Sequence, residues 1–158
     1  MKKLIIAVAI GAAGLQFPAT EAANSNTQFD VTINLTSACN IGAIAAVDFA
    51  YTSFQGGAQP STGGTFNLTC TNTLPYTFGL QAGSGAAVPP GAASIGVTDN
   101  AVNLAYTLTA PAGATGNGLA QAKTIAGSMG ASQSGNCLTA ACSNAAATNK
   151  TQTLIVNF

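Results

Sequence analysis

Apolar and polar side chains alternate strictly through residues 28–36 of the chain. The apolar positions are Phe29, Val31, Ile33 and Leu35, and the polar positions between and after them are Asp30, Thr32, Asn34 and Thr36. Because successive side chains of a strand point to opposite faces, this alternation predicts a strand with one apolar and one polar face. The apolar face has to be buried. The alternation alone leaves open whether it is buried in the chain's own domain or in a neighbouring molecule.

The rest of the chain indicates short strands separated by turn-forming residues, with no sustained helical period. Strands are predicted at residues 39–44, 65–71, 76–81, 102–110, 119–126 and 151–158. The intervening segments, residues 55–64, 83–91, 111–118 and 127–149, are rich in Gly, Ala, Pro, Ser and Asn. Several short strands separated by such turn-forming segments predict an all-β antiparallel sandwich.

Residues 1–22 have the pattern of a secretory signal peptide. Lys2 and Lys3 precede an apolar run over residues 4–15, and Ala22 closes a tripeptide with small residues at both ends. The alternative is a membrane anchor, but this run is too short to span a bilayer comfortably. We therefore expect a signal peptide at 1–22, an N-terminal extension at 23–38 and one domain at 39–158, with export and no membrane insertion.

Charged side chains are almost absent beyond the predicted signal peptide. They are Asp30, Asp48, Asp99, Lys123 and Lys150, and the chain has no His, Arg or Trp. Nucleic-acid binding is not expected, because it needs clustered basic residues. Catalysis, a cofactor and a metal site are not expected either, because there is no His and the carboxylates are far apart in sequence. So little charge fits either a hydrated, loop-rich domain or a subunit that associates with others.

The four cysteines all follow the predicted signal peptide. An even number in an exported chain favours disulfides, and three pairings are possible. Cys39 and Cys70 fall in predicted strands, where a cross-strand bridge is easily built, and Cys137 and Cys142 flank a four-residue loop. We therefore predict the pairs Cys39–Cys70 and Cys137–Cys142.

Six segments of the chain, and the order in which they follow one another, resemble the spore coat protein U family. This family includes the major pilins of archaic (Csu-type) chaperone–usher pili. The segments are residues 36–41 (TSACNI), 47–51 (VDFAY), 64–70 (GTFNLTC), 75–80 (PYTFGL), 104–108 (LAYTL) and 153–158 (TLIVNF). The chain departs from the family pattern in three places. Ala50 replaces a glycine, the loop 137–142 is an additional feature, and residues 148–152 replace a Gly-Tyr-Asp run.

The resemblance implies an incomplete immunoglobulin-like sandwich that a donor strand from a neighbouring subunit completes. Its expected donor residues are Phe29, Val31, Ile33 and Leu35, and its expected acceptor-groove edge residues are Leu154, Val156 and Phe158. It also implies the partners: other pilin subunits including copies of itself, a periplasmic chaperone and an outer-membrane usher. The expected location is the cell surface, in a pilus reached through the periplasm and used for attachment and biofilm formation.

Two other functions are compatible with the sequence. One is a secreted spore-coat or matrix protein, and the other is a stand-alone surface-binding module. A stand-alone binder should show clustered exposed aromatic residues, whereas Tyr51, Tyr76 and Tyr106 fall within or beside strand patterns. A tip adhesin normally needs a second domain, for which the mature chain of about 135 residues has no room.

Overall fold

The computed structural model describes residues 25–158, and this part of the chain contains strands and no helix. The predicted signal peptide, residues 1–22, lies outside the described residues. The chain divides into two units, residues 1–34 and 35–158. All twelve strands described below lie in the second unit.

The strands are short and together confirm the predicted all-β class. They are β1 (Cys39–Ile41), β2 (Val47–Asp48), β3 (Gln59–Pro60), β4 (Thr62–Gly63), β5 (Thr65–Cys70), β6 (Pro75–Ala82), β7 (Ser94–Thr98), β8 (Ala105–Thr109), β9 (Ala114–Thr115), β10 (Ala120–Thr124), β11 (Ala126–Met129) and β12 (Gln152–Asn157).

Every strand pair in the second unit is antiparallel. The sheets have the strand orders β1-β5-β10, β3-β11-β8-β7, β12-β6-β9 and β2-β4. The run from β10 to β11 changes sheets at Ile125, whose backbone N–H donates to the Gly64 carbonyl at 2.9 Å. A single antiparallel bridge between Leu80 and Ala92 connects β6 with the segment before β7. The result is the antiparallel sandwich that the strand pattern predicted.

The core lies between β5 and β6. Along β5, Phe66, Leu68 and Cys70 are buried and the residues between them are exposed, so the strand has the two faces that its alternation requires. Opposite them on β6, Tyr76, Phe78 and Leu80 are also buried. The Phe66 and Phe78 rings pack edge to face with their centroids 5.7 Å apart.

Both predicted disulfides are present. Cys39 and Cys70 are directly opposed residues of β1 and β5, with their Cα atoms 4.1 Å apart. Cys137 and Cys142 close the short loop between them, with a Cα–Cα distance of 5.8 Å. The first bridge ties two strands of the sandwich together, whereas the second constrains a single loop.

Several predicted boundaries are wrong. Strand β7 was not predicted, because its Ser-Ile-Gly-Val-Thr sequence has a weak local strand signal and full-length pairing with β8 stabilises it. The predicted strand 102–110 begins only at Ala105, because a turn at residues 99–103 precedes it. The predicted strand 119–126 is two strands, and β11 extends into the predicted loop 127–149. The predicted loops 55–64 and 111–118 contain the two-residue strands β3, β4 and β9.

Candidate subunit-binding groove

The predicted donor residues are exposed. Phe29, Val31, Ile33 and Leu35 have between 71% and 83% of their surface accessible. No strand is assigned among residues 25–38. Exposure of four large apolar side chains within seven residues is unfavourable in water and favours burial against another surface. That they enter a neighbouring subunit stays a prediction.

A groove of about 1190 Å³ opens the second unit along one edge. One wall is the segment 44–53, which contains β2, and the other includes residues 150–154 at the start of β12. Residues of the core line the groove between these walls: Leu80, Tyr106, Leu108, Ile125 and Met129. The groove therefore leads from this edge down to buried side chains of the core.

The first wall is anchored to the sandwich by its backbone and by aromatic packing. The Gly64 N–H donates to the Ala46 carbonyl at 2.9 Å. Gly64 has a φ of +70°, and a Cβ at this position would lie 2.5 Å from the Ile125 carbonyl oxygen, so only glycine fits. Farther along the wall, the Phe49 ring packs against that of Tyr106 at 5.6 Å between centroids. The wall is therefore held on both sides of β2, at Ala46 and at Phe49.

Strand β12 forms an edge of its sheet. It pairs with β6 from Gln152–Ala82 to Asn157–Thr77, and among residues 25–158 no strand pairs with its other side. Strand β2, in the opposite wall, pairs only with β4 in the same part of the chain. Unpaired N–H and C=O groups along an edge form a template for an added strand.

The three predicted acceptor residues take different positions along β12 and its end. Leu154 lines the groove and packs against the core. Val156 packs against the core from the same face but lies outside the groove lining. Phe158 follows the strand and is 61% exposed. Ile155 is buried on the opposite face, beside Gly91.

One end of the groove is closed by residues 132–144, here called the end wall. On one side of it, the Ser53 hydroxyl donates to the Ser134 carbonyl at 2.6 Å, and the Gln133 N–H donates to the Tyr51 hydroxyl at 2.9 Å. The end wall includes the Cys137–Cys142 loop, and most residues of this loop line the groove. Sequence reasoning identified this loop as an additional feature but did not predict that it borders the groove.

Asp99 is a buried carboxylate in the groove lining, with 2% of its surface exposed. Its Oδ1 accepts hydrogen bonds from the Ala101 and Val102 amides, both at 2.9 Å, while Oδ2 has no hydrogen-bond partner in the described part of the chain. Burial raises the pKa of Asp99, but the Val102 and Ala101 amides and the Asn144 side chain outweigh it and hold the pKa below its usual value. The carboxylate is therefore charged at neutral pH.

Sequence reasoning missed the role of Asp99. The signal that could have found it is local, because an aspartate whose side chain accepts from amides two and three residues later is typical of a turn. A second polar group lies nearby in the groove lining. Burial raises the pKa of Tyr106, whose hydroxyl accepts from Gln152 Nε2 at 3.1 Å and stays neutral.

The two lysines of the described residues make structural contacts. Lys123 Nζ lies 5.3 Å from the centre of the Tyr76 ring, and Lys150 Nζ donates to the Ala145 carbonyl at 2.7 Å. Within residues 25–158, no group of three or more His, Cys, Asp or Glu side chains is placed to hold a metal ion. No helix in the same range is long and apolar enough to cross a bilayer.

The molecule is thus an antiparallel sandwich whose core opens along one edge. The chain belongs to the Spore Coat Protein U domain family, whose sequence model matches residues 25–156. This is a family of structural, pilin-type subunits and not an enzyme family. Comparisons with curated proteins and with solved structures found no match.

Proposed function

We propose that this protein is a pilus subunit that polymerises by donor-strand exchange, in which residues 29–35 of one copy fill the groove of the next. The observation that carries the proposal is that one chain holds both halves of such a contact. It has an exposed apolar row and an open groove bordered by an unpaired strand edge.

The dimensions of the two halves are compatible. Residues 29–35 in an extended conformation span about 20 Å at roughly 3.3 Å per residue, close to the length of β12. The row can pair its backbone with the free edge of β12 while alternate side chains enter the groove. The side chains at its centre, Val31 and Ile33, would then contact the apolar residues that line the groove.

Burial favours the contact strongly. Removing four large apolar side chains from water contributes roughly 1.5–3 kcal/mol each, or about 6–12 kcal/mol before the entropic cost of association. Because donor and acceptor are on one chain, each subunit can bind one neighbour and be bound by another. Such a contact is heterologous, and it generates open filaments where its rotation does not close into a ring.

Partners and location follow from the same proposal. A free strand edge beside an open groove can pair with the edges of unrelated chains until a donor strand covers it. A periplasmic chaperone would supply that strand first, and an outer-membrane usher would exchange it for the donor segment of the next subunit. The assembled pilus would lie at the cell surface and support attachment and biofilm formation.

The alternative is a coat or matrix protein, a role suggested by the words spore coat in the family description. It would use the same contact to build a layer instead of a filament. Electron microscopy of shed surface material separates the two, because only a pilus subunit gives long filaments of uniform width. Chaperone and usher genes beside the gene for this chain would support the pilus.

The proposal is tested by deleting residues 25–35 from the mature chain. We expect the intact chain to form polymers and the deletion variant to stay monomeric by light scattering. A synthetic peptide of residues 27–37 should bind the variant, whereas the same peptide with its sequence scrambled should not. Polymers of the deletion variant would contradict the proposal.

A further inference from the structure

We propose that the Cys137–Cys142 loop is a stop that sets the register of the incoming strand, with the Leu35 end of the donor segment against it. This inference rests on the proposed function, because it assigns a role to one end of the same groove. It concerns which residue of the donor occupies which position, not whether a donor binds.

The end wall is bound to the first wall of the groove. The Phe54 N–H donates to the Gln133 carbonyl at 2.8 Å, and the Ser132 N–H donates to the Gln55 carbonyl at the same distance. With the Ser53 and Tyr51 contacts described above, these bonds attach residues 132–134 to the wall. A strand lying along the groove cannot extend between them without breaking several hydrogen bonds.

A turn at residues 98–104 binds the other side of the end wall. The Asn136 N–H donates to the Val102 carbonyl at 2.7 Å, just before the disulfide loop. Beyond that loop, Asn100 Nδ2 donates to the Thr148 hydroxyl at 2.6 Å, and Asn149 Nδ2 donates to the Thr98 carbonyl at 2.8 Å. Asp99 holds the turn itself through its bonds with the Ala101 and Val102 amides.

The disulfide restricts the part of the end wall that these hydrogen bonds leave free. Residues 138–141 are exposed, and three of them line the groove. Anchored on both sides and closed by a covalent bridge, the loop cannot move out of the path of a strand as an open loop of the same length could. It is therefore suited to limit how far a strand advances.

A stop is needed because the donor pattern repeats every two residues. A slip of one residue would turn the apolar face away from the groove, so pairing itself excludes it. A slip of two residues keeps the apolar face inward, and the repeating pattern does not exclude it. A fixed end excludes a two-residue slip toward it, because the donor would then have to displace the end wall.

The direction of β12 determines which end of the donor meets the stop. Lys150, two residues before β12, donates through Nζ to the Ala145 carbonyl at 2.7 Å, three residues beyond the Cys137–Cys142 loop. Strand β12 therefore begins near this loop and runs away from it. Every strand pair in the domain is antiparallel, and we assign the same pairing to the donor on β12. The C-terminal end of the donor segment, at Leu35, then lies against the loop.

Site-specific photo-crosslinking in polymers of the mature chain tests this arrangement. The photoreactive residue p-benzoylphenylalanine is placed at Thr139, which is exposed in the loop, or at Ala46, which lines the first wall away from the end wall. Mass spectrometry then identifies the crosslinked residues of the neighbouring copy. We expect adducts from Thr139 to be confined to residues 35–38 and adducts from Ala46 to fall within residues 29–35.

The two positions separate this inference from the proposed function. Two results would overturn the stop and leave donor-strand exchange intact. In the first, Ala46 gives adducts to residues 29–35 and Thr139 gives none. In the second, Thr139 gives adducts at the Phe29 end of the donor segment or at both of its ends. Absence of donor-segment adducts from both positions would overturn both proposals.

The disulfide is tested in the same polymers with Cys137→Ser/Cys142→Ser. We expect adducts from Thr139 to lose their restriction to residues 35–38, because the open loop no longer excludes a two-residue slip. An unchanged adduct pattern would show that the disulfide does not contribute to the stop. The Cys39–Cys70 bridge remains in this variant, so the sandwich should stay folded. An unchanged circular dichroism spectrum below the melting temperature would confirm that the strands are intact.

Discussion

The two edges of the sandwich differ in how completely they are closed. At one, the Cys39–Cys70 bridge connects β1 to β5, and Leu68 at the centre of β5 has no accessible surface. At the other, β12 has a free side, Leu154 is only half-buried, and a groove leads to the core. At the closed edge the chain itself covers the core side chains, whereas the open edge has groups that an added strand would pair and cover.

This difference predicts that substitutions at the two edges affect different properties. Substitutions at the closed edge should reduce the stability of the subunit whether or not it is assembled. Substitutions at the open edge should have a small effect on the free subunit and a larger effect on the polymer, where a donor strand would bury them. The predictions below are ordered from the largest expected effect to the smallest.

The largest difference is expected between two leucines. Leu68→Ala should lower the free energy of unfolding by about 3–5 kcal/mol, because it leaves a cavity in a fully buried site. Leu154→Ala should cost the free subunit only about 1–2 kcal/mol, since part of this side chain already contacts water. Urea unfolding of the monomer, followed by urea dissociation of the polymer, measures both effects. Equal losses of unfolding free energy for the two variants in the monomer would contradict the difference between the two edges.

The two disulfides should also differ. Removing the Cys39–Cys70 bridge, with a sequence separation of 31, should cost roughly 3–4 kcal/mol on the loop-entropy model. Removing the Cys137–Cys142 bridge, with a separation of 5, should cost about 2 kcal/mol. Paired Cys→Ser variants compared by thermal unfolding test the order. The account is contradicted if the loop bridge proves the more important for folding.

Asp99 should make the open edge sensitive to acid. Its pKa is lower in the folded than in the unfolded chain, so it stabilises the fold above its unfolded pKa, near 4, and loses this contribution as the pH falls through the folded value. Asp99→Asn should lower the unfolding free energy at pH 7 by about 1–2 kcal/mol, because the bonds to the Ala101 and Val102 amides lose their charge. The variant should also lose less stability than the parent as the pH falls below about 4. Parallel pH curves for the two proteins would exclude this role.

The sequence predicted the fold class because its signals are local. Residues 65–70 alternate so clearly that the two faces of β5 follow from the pattern, and the Cys39–Cys70 pair follows from two cysteines in strand-like segments. Strand β7 has a weak local pattern and depends on pairing with β8, so it was missed.

The resemblance predicted the edge of the groove at Leu154, Val156 and Phe158, but the full lining could not be predicted from the sequence for a physical reason. Its lining combines Ile44, Leu80, Leu108 and Leu154, which come together only when the sheets pack. The role of the Cys137–Cys142 loop depends likewise on contacts with residues 51–55 and 98–104, distant along the chain. The donor role of residues 29–35 remains a prediction, based on their alternation and supported by their exposure.

The central claim is that residues 29–35 fill the groove of another subunit, and a pair of charge substitutions tests it most directly. Ile33→Asp places a carboxylate at the middle of the apolar face, where burial in an apolar groove without a cationic partner is strongly unfavourable. Thr32→Asp adds the same charge one residue away on the polar face, which the groove does not contact. We expect light scattering to show polymers for the Thr32→Asp chain and only monomers for the Ile33→Asp chain, while both subunits remain folded in complex with the chaperone. Equal polymer yields from the two variants, or unfolding of the Ile33→Asp subunit in that complex, would show that this segment is not the link between subunits.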